Sequence, residues 1–160
     1  MLLPEATPAP DFELTDQFGA AFALSALRGR RSIALVFFPL AFSATCTGEW
    51  RALHEHRDLF DAAGGALVGV SVDSTASLRA YAEQEGLSAT LLADFWPHGA
   101  VARQYGAFLE QRGFATRATY LIDPAGIIRA SFATGPGEAR SMDAYRGAVA
   151  ALGASATGRN

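Results

Sequence analysis

The 160-residue chain is half hydrophobic, 18% charged and carries a formal net charge of −3, which supplies a substantial core for one domain and too little charge for a disordered segment. All thirteen basic residues are arginines scattered along the chain, so no basic face for nucleic acid is expected, and the missing lysine excludes both a GxxxxGK phosphate loop and Schiff-base chemistry. The longest apolar run, Ile33 to Phe38, is far too short to span a membrane, and the opening MLLPEATPAPD has neither the basic start nor the long apolar stretch of a secretory leader, which makes the cytoplasm the expected location.

From Asp11 to Arg31 the apolar positions Phe12, Leu14, Phe22 and Leu24 alternate with polar ones around Gly19, which predicts a short N-terminal hairpin turning at Gln17-Phe18-Gly19. Ser32 to Phe38 is apolar without alternation and reads as a strand buried on both faces, ended by Pro39. After the polar stretch Ser43 to Thr47, Trp50, Leu53 and Phe60 recur at helical spacing, predicting one long amphipathic helix to about Ala63, stopped by Gly64-Gly65. Ala66 to Asp73 is a second buried strand, Thr75 to Glu85 a helix ended by Gly86, and Ala89 to Asp94 a short third strand. A brief helix near Val101 to Tyr105 precedes two strands, ATYLI and GIIRASF, joined across Asp123-Pro124-Ala125-Gly126, with Asp, Pro and Gly at the first, second and fourth positions of a type I turn. A last helix is expected over about Ser141 to Leu152, followed by a flexible tail, 153–160. This order predicts a single α/β domain over 1–160, a mixed central sheet with helices on both faces and an N-terminal β-hairpin.

Cys46 is the lone cysteine, so an intrachain disulfide and a multi-cysteine zinc site are both excluded. A lone cysteine is commonly a small buried hydrophobe. This one, however, opens a helix directly after the loop that leaves a buried strand, where free backbone N–H groups and the helix dipole favour an anion.

The string PLAFSATC, Pro39 to Cys46, fits P-x-x-x-[ST]-x-x-C, and with strand and helix flanking it the sequence resembles the peroxiredoxins, thiol-dependent peroxidases with a thioredoxin-like fold. The resemblance runs from about Pro8 to Leu152, and FFPLAF, DFWPHGAV and PGE are similar to the one-cysteine AhpE type. It implies that Cys46 is the peroxidatic cysteine, that Pro39 and Ser43 shape the peroxide pocket, and that Arg117, just before ATYLI, completes it, with Arg112 as the alternative arginine. Glu49 stands where AhpE-like sequences carry a glutamate, and Phe42 and Trp50 stand where such residues line the rim or a dimer contact, so the resemblance implies that Glu49, Phe42 and Trp50 contact substrate; for Phe42, Trp50 and Trp96 a plain core role is equally open.

The implied activity is reduction of hydrogen peroxide, organic hydroperoxides or peroxynitrite through a Cys46 sulfenic acid, with no cofactor and no metal. Ionising an ordinary thiol completely at pH 7 gains roughly 30-fold, against enzymatic accelerations that begin near about 10⁶. Most of the catalysis therefore has to come from donors aimed at the departing oxygen: the Arg117 fork, the Ser43 hydroxyl and the first backbone N–H groups of the helix. Position 51, where the related bacterioferritin comigratory proteins often place a resolving cysteine, is Arg51. The reductant is then external, either thioredoxin or a low-molecular-weight thiol with a glutaredoxin-like or mycoredoxin-like protein, and the resemblance also implies a homodimer. His54 and His56 are two apart and share no helix face, so they read as solvated positions rather than zinc ligands; His98 reads as a capping or interface residue, and Glu83 and Glu85 as a solvated face. Two other functions are open. One is a non-catalytic thioredoxin-like redox-sensing or binding module. The other is a cysteine hydrolase, which needs a His base held by Asn or Asp, and no such signature accompanies Cys46.

Overall fold

Strand β3 (Ser32–Phe37) has every residue buried, and its side chains divide by parity as a pleated strand requires. Ile33, Leu35 and Phe37 enter one core, while Ala34, Val36 and Phe38 enter another on the opposite face. The computed structural model describes residues 1–157. β1 (Glu13–Asp16), β2 (Ala21–Ala23), β3, β4 (Gly65–Ser71), β5 (Thr90–Ala93), β8 (Arg117–Ile122) and β9 (Ile128–Thr134) form a seven-stranded sheet in the order β2-β1-β5-β4-β3-β8-β9. β3, β4 and β5 run parallel, whereas β1 and β8 join them antiparallel and β9 returns along β8. The sheet is mixed, as expected.

The second core lies beneath α1 (Ala44–Glu55), α2 (Arg57–Ala62), α3 (Thr75–Glu85) and α5 (Met142–Thr157), and the first lies beneath α4 (Ala100–Gln104) and the N-terminal segment. Local chemistry accounts for the ends of these elements. Asp16 closes the hairpin by accepting the amides of Phe18 and Ala20 through its side chain, with Gly19 at φ +83°. Gly86, at φ +64°, caps α3 in the left-handed conformation that glycine adopts without penalty. Asp123 opens the expected tight turn, its carbonyl accepting the Gly126 amide at 2.9 Å.

Three expectations are corrected. The long helix to Ala63 is two helices: at His56 the backbone leaves the helical region (φ −103°, ψ 21°) and the ring Nδ1 lies 2.8 Å from the Ala52 carbonyl, beside the backbone bond to the same oxygen. A small two-stranded ribbon, β6 (Phe108–Leu109) with β7 (Phe114–Ala115), precedes β8, too short for its pattern to register in the sequence. The last helix continues past Leu152 to Thr157 through Gly153-Ala154-Ser155-Ala156-Thr157, whose glycine, serine and threonine are weak helix formers that hide the extension from a propensity reading; residues 158–160 of the expected tail lie outside the described residues.

Gly69, central in β4, seats α1 on the sheet. A Cβ there would lie 2.4 Å from Trp50 Cζ2 and 2.9 Å from Leu91 Cδ2, both in the packed core, so the bare backbone is what lets the indole reach the strand. Gly69→Ala is expected to destabilise the fold by about 1–3 kcal/mol through overpacking, read as a lower urea midpoint with unchanged m-value; an unchanged midpoint would mean that the indole repacks freely.

Candidate active site

The chain leaving β3 keeps one further ladder bond, Phe38 N–H to the Val70 carbonyl at 3.0 Å, and then turns through Pro39 to Ser43. Two features set this loop. Asp73, just beyond β4, accepts the Ala41 amide at 2.8 Å and the Ser71 hydroxyl at 2.6 Å through the same carboxylate oxygen. Phe42 adopts φ +69°, a conformation costly for a residue with a Cβ, and packs edge-on against Tyr81 of α3 with ring centroids 5.1 Å apart.

Ser43 is the N-cap of α1, but its side chain makes no capping bond; its hydroxyl donates instead to the Leu40 carbonyl at 2.9 Å. The opening amides of the helix are thereby left free of a capping side chain. Thr47 braces the turn, donating its hydroxyl to the Ser43 carbonyl at 2.8 Å and receiving the Tyr81 hydroxyl at 3.1 Å. Burial, partly offset by the bond to Thr47, pushes the Tyr81 phenol up to about 12, so it stays protonated as a donor. Cys46, third residue of α1, is fully buried in the helical-face core that also holds Trp50, Phe38 and Leu121.

Arg117 opens β8, and parity decides where it goes. With Ala118, Tyr120 and Ile122 assigned to the opposite core, Arg117, Thr119 and Leu121 turn toward the helices. Arg117 is 2% exposed; its Nε donates to the Pro136 carbonyl at 2.8 Å and its Nη1 to Glu49. Arg112 lies outside any strand, exposed, with its guanidinium 5.4 Å from the Phe114 ring centroid. Both arginines line a cavity of about 250 Å³ together with Pro39, Ser43, Thr45 and Pro136. The cavity therefore brings together Pro39, Ser43 and Arg117, and it includes Ala44 and Thr45 of the turn that carries Cys46.

Glu49, Phe42 and Trp50, expected next to substrate, are not part of that lining. Glu49 is buried beneath it and serves two arginines: besides Arg117, it accepts from the Arg140 backbone N–H at 2.6 Å and Nε at 3.0 Å on Oε2, and from Arg140 Nη2 at 3.0 Å on Oε1. Arg140 also donates to the carbonyls of Phe37 and Ala118 and to the Thr119 hydroxyl. Burial opposes ionisation of Glu49 most strongly, but the hydrogen bonds and charge of Arg140, with the charge of Arg117, together outweigh it and hold the carboxyl below its ordinary range. Phe42 is half exposed on Tyr81. Trp50, one helical turn from Cys46, stacks edge-on against Phe38 and lines a different cavity.

His98 contacts the Gly113 carbonyl at 2.7 Å, and α4 is capped by Asp94, which accepts the Val101 and Ala102 amides. Sequence reading missed Arg140, Asp73 and the Tyr81–Thr47 brace. The available signal for Arg140 was its position two residues after the Pro136-Gly137-Glu138 string; Asp73 and Tyr81 carried none.

Sheet order, helix placement and a buried thiol in the first turn after a central strand define a thioredoxin-like protein built around one cysteine. The chain belongs to the AhpC/TSA family, which matches residues 6–131. It is 43% identical over 144 residues to alkyl hydroperoxide reductase E of Mycobacterium tuberculosis, covering 90% of this chain and 94% of that protein. Among solved structures it superposes on the peroxidoxin BcpB of Mycobacterium tuberculosis with a TM-score of 0.80 at 28% identity, over 94% of this chain and 96% of that one. It also superposes on the reduced 2-Cys peroxiredoxin of Plasmodium vivax with a TM-score of 0.85 at 24% identity, over 96% and 83% respectively, which speaks to the fold alone.

Proposed function

We propose that the chain is a one-cysteine thiol-dependent peroxidase whose peroxidatic residue is Cys46. The observation that carries this reading is the joint placement of Pro39, Ser43 and Arg117 around one cavity at the start of the helix that bears the chain's lone cysteine. The Cys46 thiolate attacks one peroxide oxygen, a sulfur–oxygen bond forms as the oxygen–oxygen bond breaks, and the other oxygen leaves as an alkoxide or hydroxide that takes up a proton. Sulfur is oxidised by two electrons to the sulfenic acid, and the peroxide is reduced to alcohol or water.

Each neighbour has a part in that step. Arg117 holds two of its N–H groups on Glu49 and Pro136, which fixes the plane of the fork and leaves the remaining donors for the developing negative oxygen. Ser43, expected from sequence to donate to the departing oxygen, has its proton engaged by the Leu40 carbonyl and instead retains lone pairs to accept the peroxide O–H. Pro39, buried and without an N–H, closes a wall against water. Recycling requires an external thiol: it condenses with the sulfenic acid, releasing water and leaving a mixed disulfide, and a second thiol releases Cys46 and carries away the disulfide. Thioredoxin, or a low-molecular-weight thiol with a glutaredoxin-like or mycoredoxin-like protein, supplies these equivalents. The apolar Leu40 and Phe114 at the cavity favour organic hydroperoxides beside hydrogen peroxide. A homodimer and a cytoplasmic setting complete the reading; no described helix is long and apolar enough to cross a membrane.

The test is to mix fully reduced protein with peroxide in the absence of any thiol, and to follow both peroxide loss and the mass of the Cys46 peptide. One equivalent of peroxide consumed in a rapid phase, with one oxygen gained at Cys46 and multiple turnovers restored by added thiol, is the expected result. A Cys46 that remains reduced under excess peroxide would overturn it, and oxidation without thiol-driven turnover would favour a redox sensor.

A further inference from the structure

On the far side of Trp50 lies a second cavity, of about 210 Å³, between the end of α1, the start of α2 and the β3–β4 and α3–β5 edges. Its polar lining consists mainly of hydrogen-bond donors, Arg31 from the turn before β3, His54 on α1, Arg57 on α2, and Ser88 and Thr90, set among apolar residues that include Trp50, Phe60 and Leu87. Arg31 Nη2 is fastened to the Gly65 carbonyl at 2.9 Å and Arg57 Nη1 to the His54 carbonyl at 2.7 Å, so one bond each anchors the two guanidinium groups and leaves their other N–H groups uncommitted. Asp61, the one acid of the lining, is paired with neither arginine among the described residues. Two exposed guanidinium groups, each tethered by one hydrogen bond, together with neutral donors and a single carboxylate, fit a ligand that only accepts hydrogen bonds and carries negative charge.

We propose that this cavity binds a phosphate group, either free or carried on a small monoester whose organic part lies against Leu87 and the Trp50 edge. A tetrahedral phosphate offers acceptor oxygens in several directions at once, which suits donors converging from the turn before β3, α1, α2 and the start of β5, and an arginine fork matches two of its oxygens. The volume exceeds that of the bare ion and leaves room for a short ester. The assignment is independent of the thiol chemistry, because the cavity shares no lining residue with the one beside Cys46.

Trp50 reports on the site directly. The chain has two tryptophans, and Trp96 is 80% exposed, so Trp96→Phe leaves Trp50 as the sole indole. This variant, reduced and checked by circular dichroism, is titrated with sodium phosphate and, separately, with glycerol 2-phosphate, with sodium chloride holding the ionic strength constant. A saturable change in Trp50 emission is expected, with its midpoint raised tenfold or more by Arg57→Gln and by Arg31→Gln but unmoved by Arg112→Ala at the other cavity. Calorimetric titration of the unaltered chain, expected to give the same midpoint, keeps the test independent of the indole. Saturation by inorganic phosphate identifies the free ion as sufficient, and saturation by the ester alone identifies a phosphomonoester. The proposal is overturned if neither probe saturates by fluorescence or calorimetry, if chloride reproduces the response, or if both arginine variants bind as tightly as the parent.

Discussion

Peroxide reduction is expected to vanish in Cys46→Ser, to fall by about 10²–10³-fold in Arg117→Ala, and to change by only a few-fold in Arg112→Ala. The three outcomes follow from three different placements. Serine removes the sulfur that must accept the oxygen, and a hydroxyl cannot take its place because it does not form a stable oxidised intermediate. Arg117 is the buried arginine of the cavity, immobilised by Glu49 and the Pro136 carbonyl, and a donor held before the reaction begins stabilises the departing oxygen without reorganisation cost. Arg112 shares the cavity but is exposed and rests on Phe114, so its contribution is screened by water.

Stopped-flow measurement of the oxidation phase over a pH series separates transition-state stabilisation from mere ionisation. The Arg117→Ala deficit is expected to persist at pH 9–10, where an ordinary thiol is ionised in any case. A deficit that disappears there would reduce Arg117 to an ionising influence. A large loss in Arg112→Ala with none in Arg117→Ala would exchange their roles. Thermal unfolding of each variant accompanies the kinetics, because Arg117 also contributes to a buried ion pair.

Much of this arrangement was legible because it is local. An unbroken apolar run identified β3, the Asp-Pro-Ala-Gly string identified the β8–β9 turn, Gly86 marked the end of α3, and the spacing from Pro39 to Cys46 located the thiol at a helix start. Arg117 and Arg112, left open as alternatives by the sequence, are separated only by the structure, where the pleat of β8 turns Arg117 to the helical face while Arg112 is exposed and belongs to no strand. What sequence reading missed depends on contacts made across the fold. Arg140 reaches Glu49 over 91 positions and the Phe37 carbonyl over 103, and its place two residues after Pro136-Gly137-Glu138 marks the position without indicating partners so distant. The break at His56 turns on one side chain reaching back to its own helix, while the surrounding apolar spacing continues unaltered through Phe60. Glu49 illustrates the same limit: its resemblance-based place was beside substrate, whereas the structure buries it between two guanidinium groups, and in the proposed reaction its part is to position Arg117.

That role sets the largest expected effect on stability. A single carboxylate is shared by Arg117 and Arg140, with 3% of its side chain exposed and the two arginine side chains at 2% and 0%. Glu49→Gln keeps the shape but removes the charge, and its amide N–H₂ then faces arginine donors, leaving two buried cations uncompensated. Breaking a buried ion pair in this way costs about 3–5 kcal/mol, which for a chain of this size is a fall in Tm of roughly 6–20 °C. The pH dependence has a definite sign. The Glu49 carboxyl is held below its ordinary range in the folded protein, whereas in the unfolded chain it titrates near about 4.3, so the unfolded state binds its proton first as the pH falls. The stabilisation is therefore complete above about pH 5 and is lost as the pH drops through the folded value. Urea denaturation of the native chain and Glu49→Gln is expected to show a constant gap from pH 5 to 8 that narrows steadily below about pH 4. A gap under about 1 kcal/mol at pH 7, or one that stays constant down to pH 3, would mean that Arg140, with its additional bonds to Phe37, Ala118 and Thr119, holds the cluster together without the carboxylate charge.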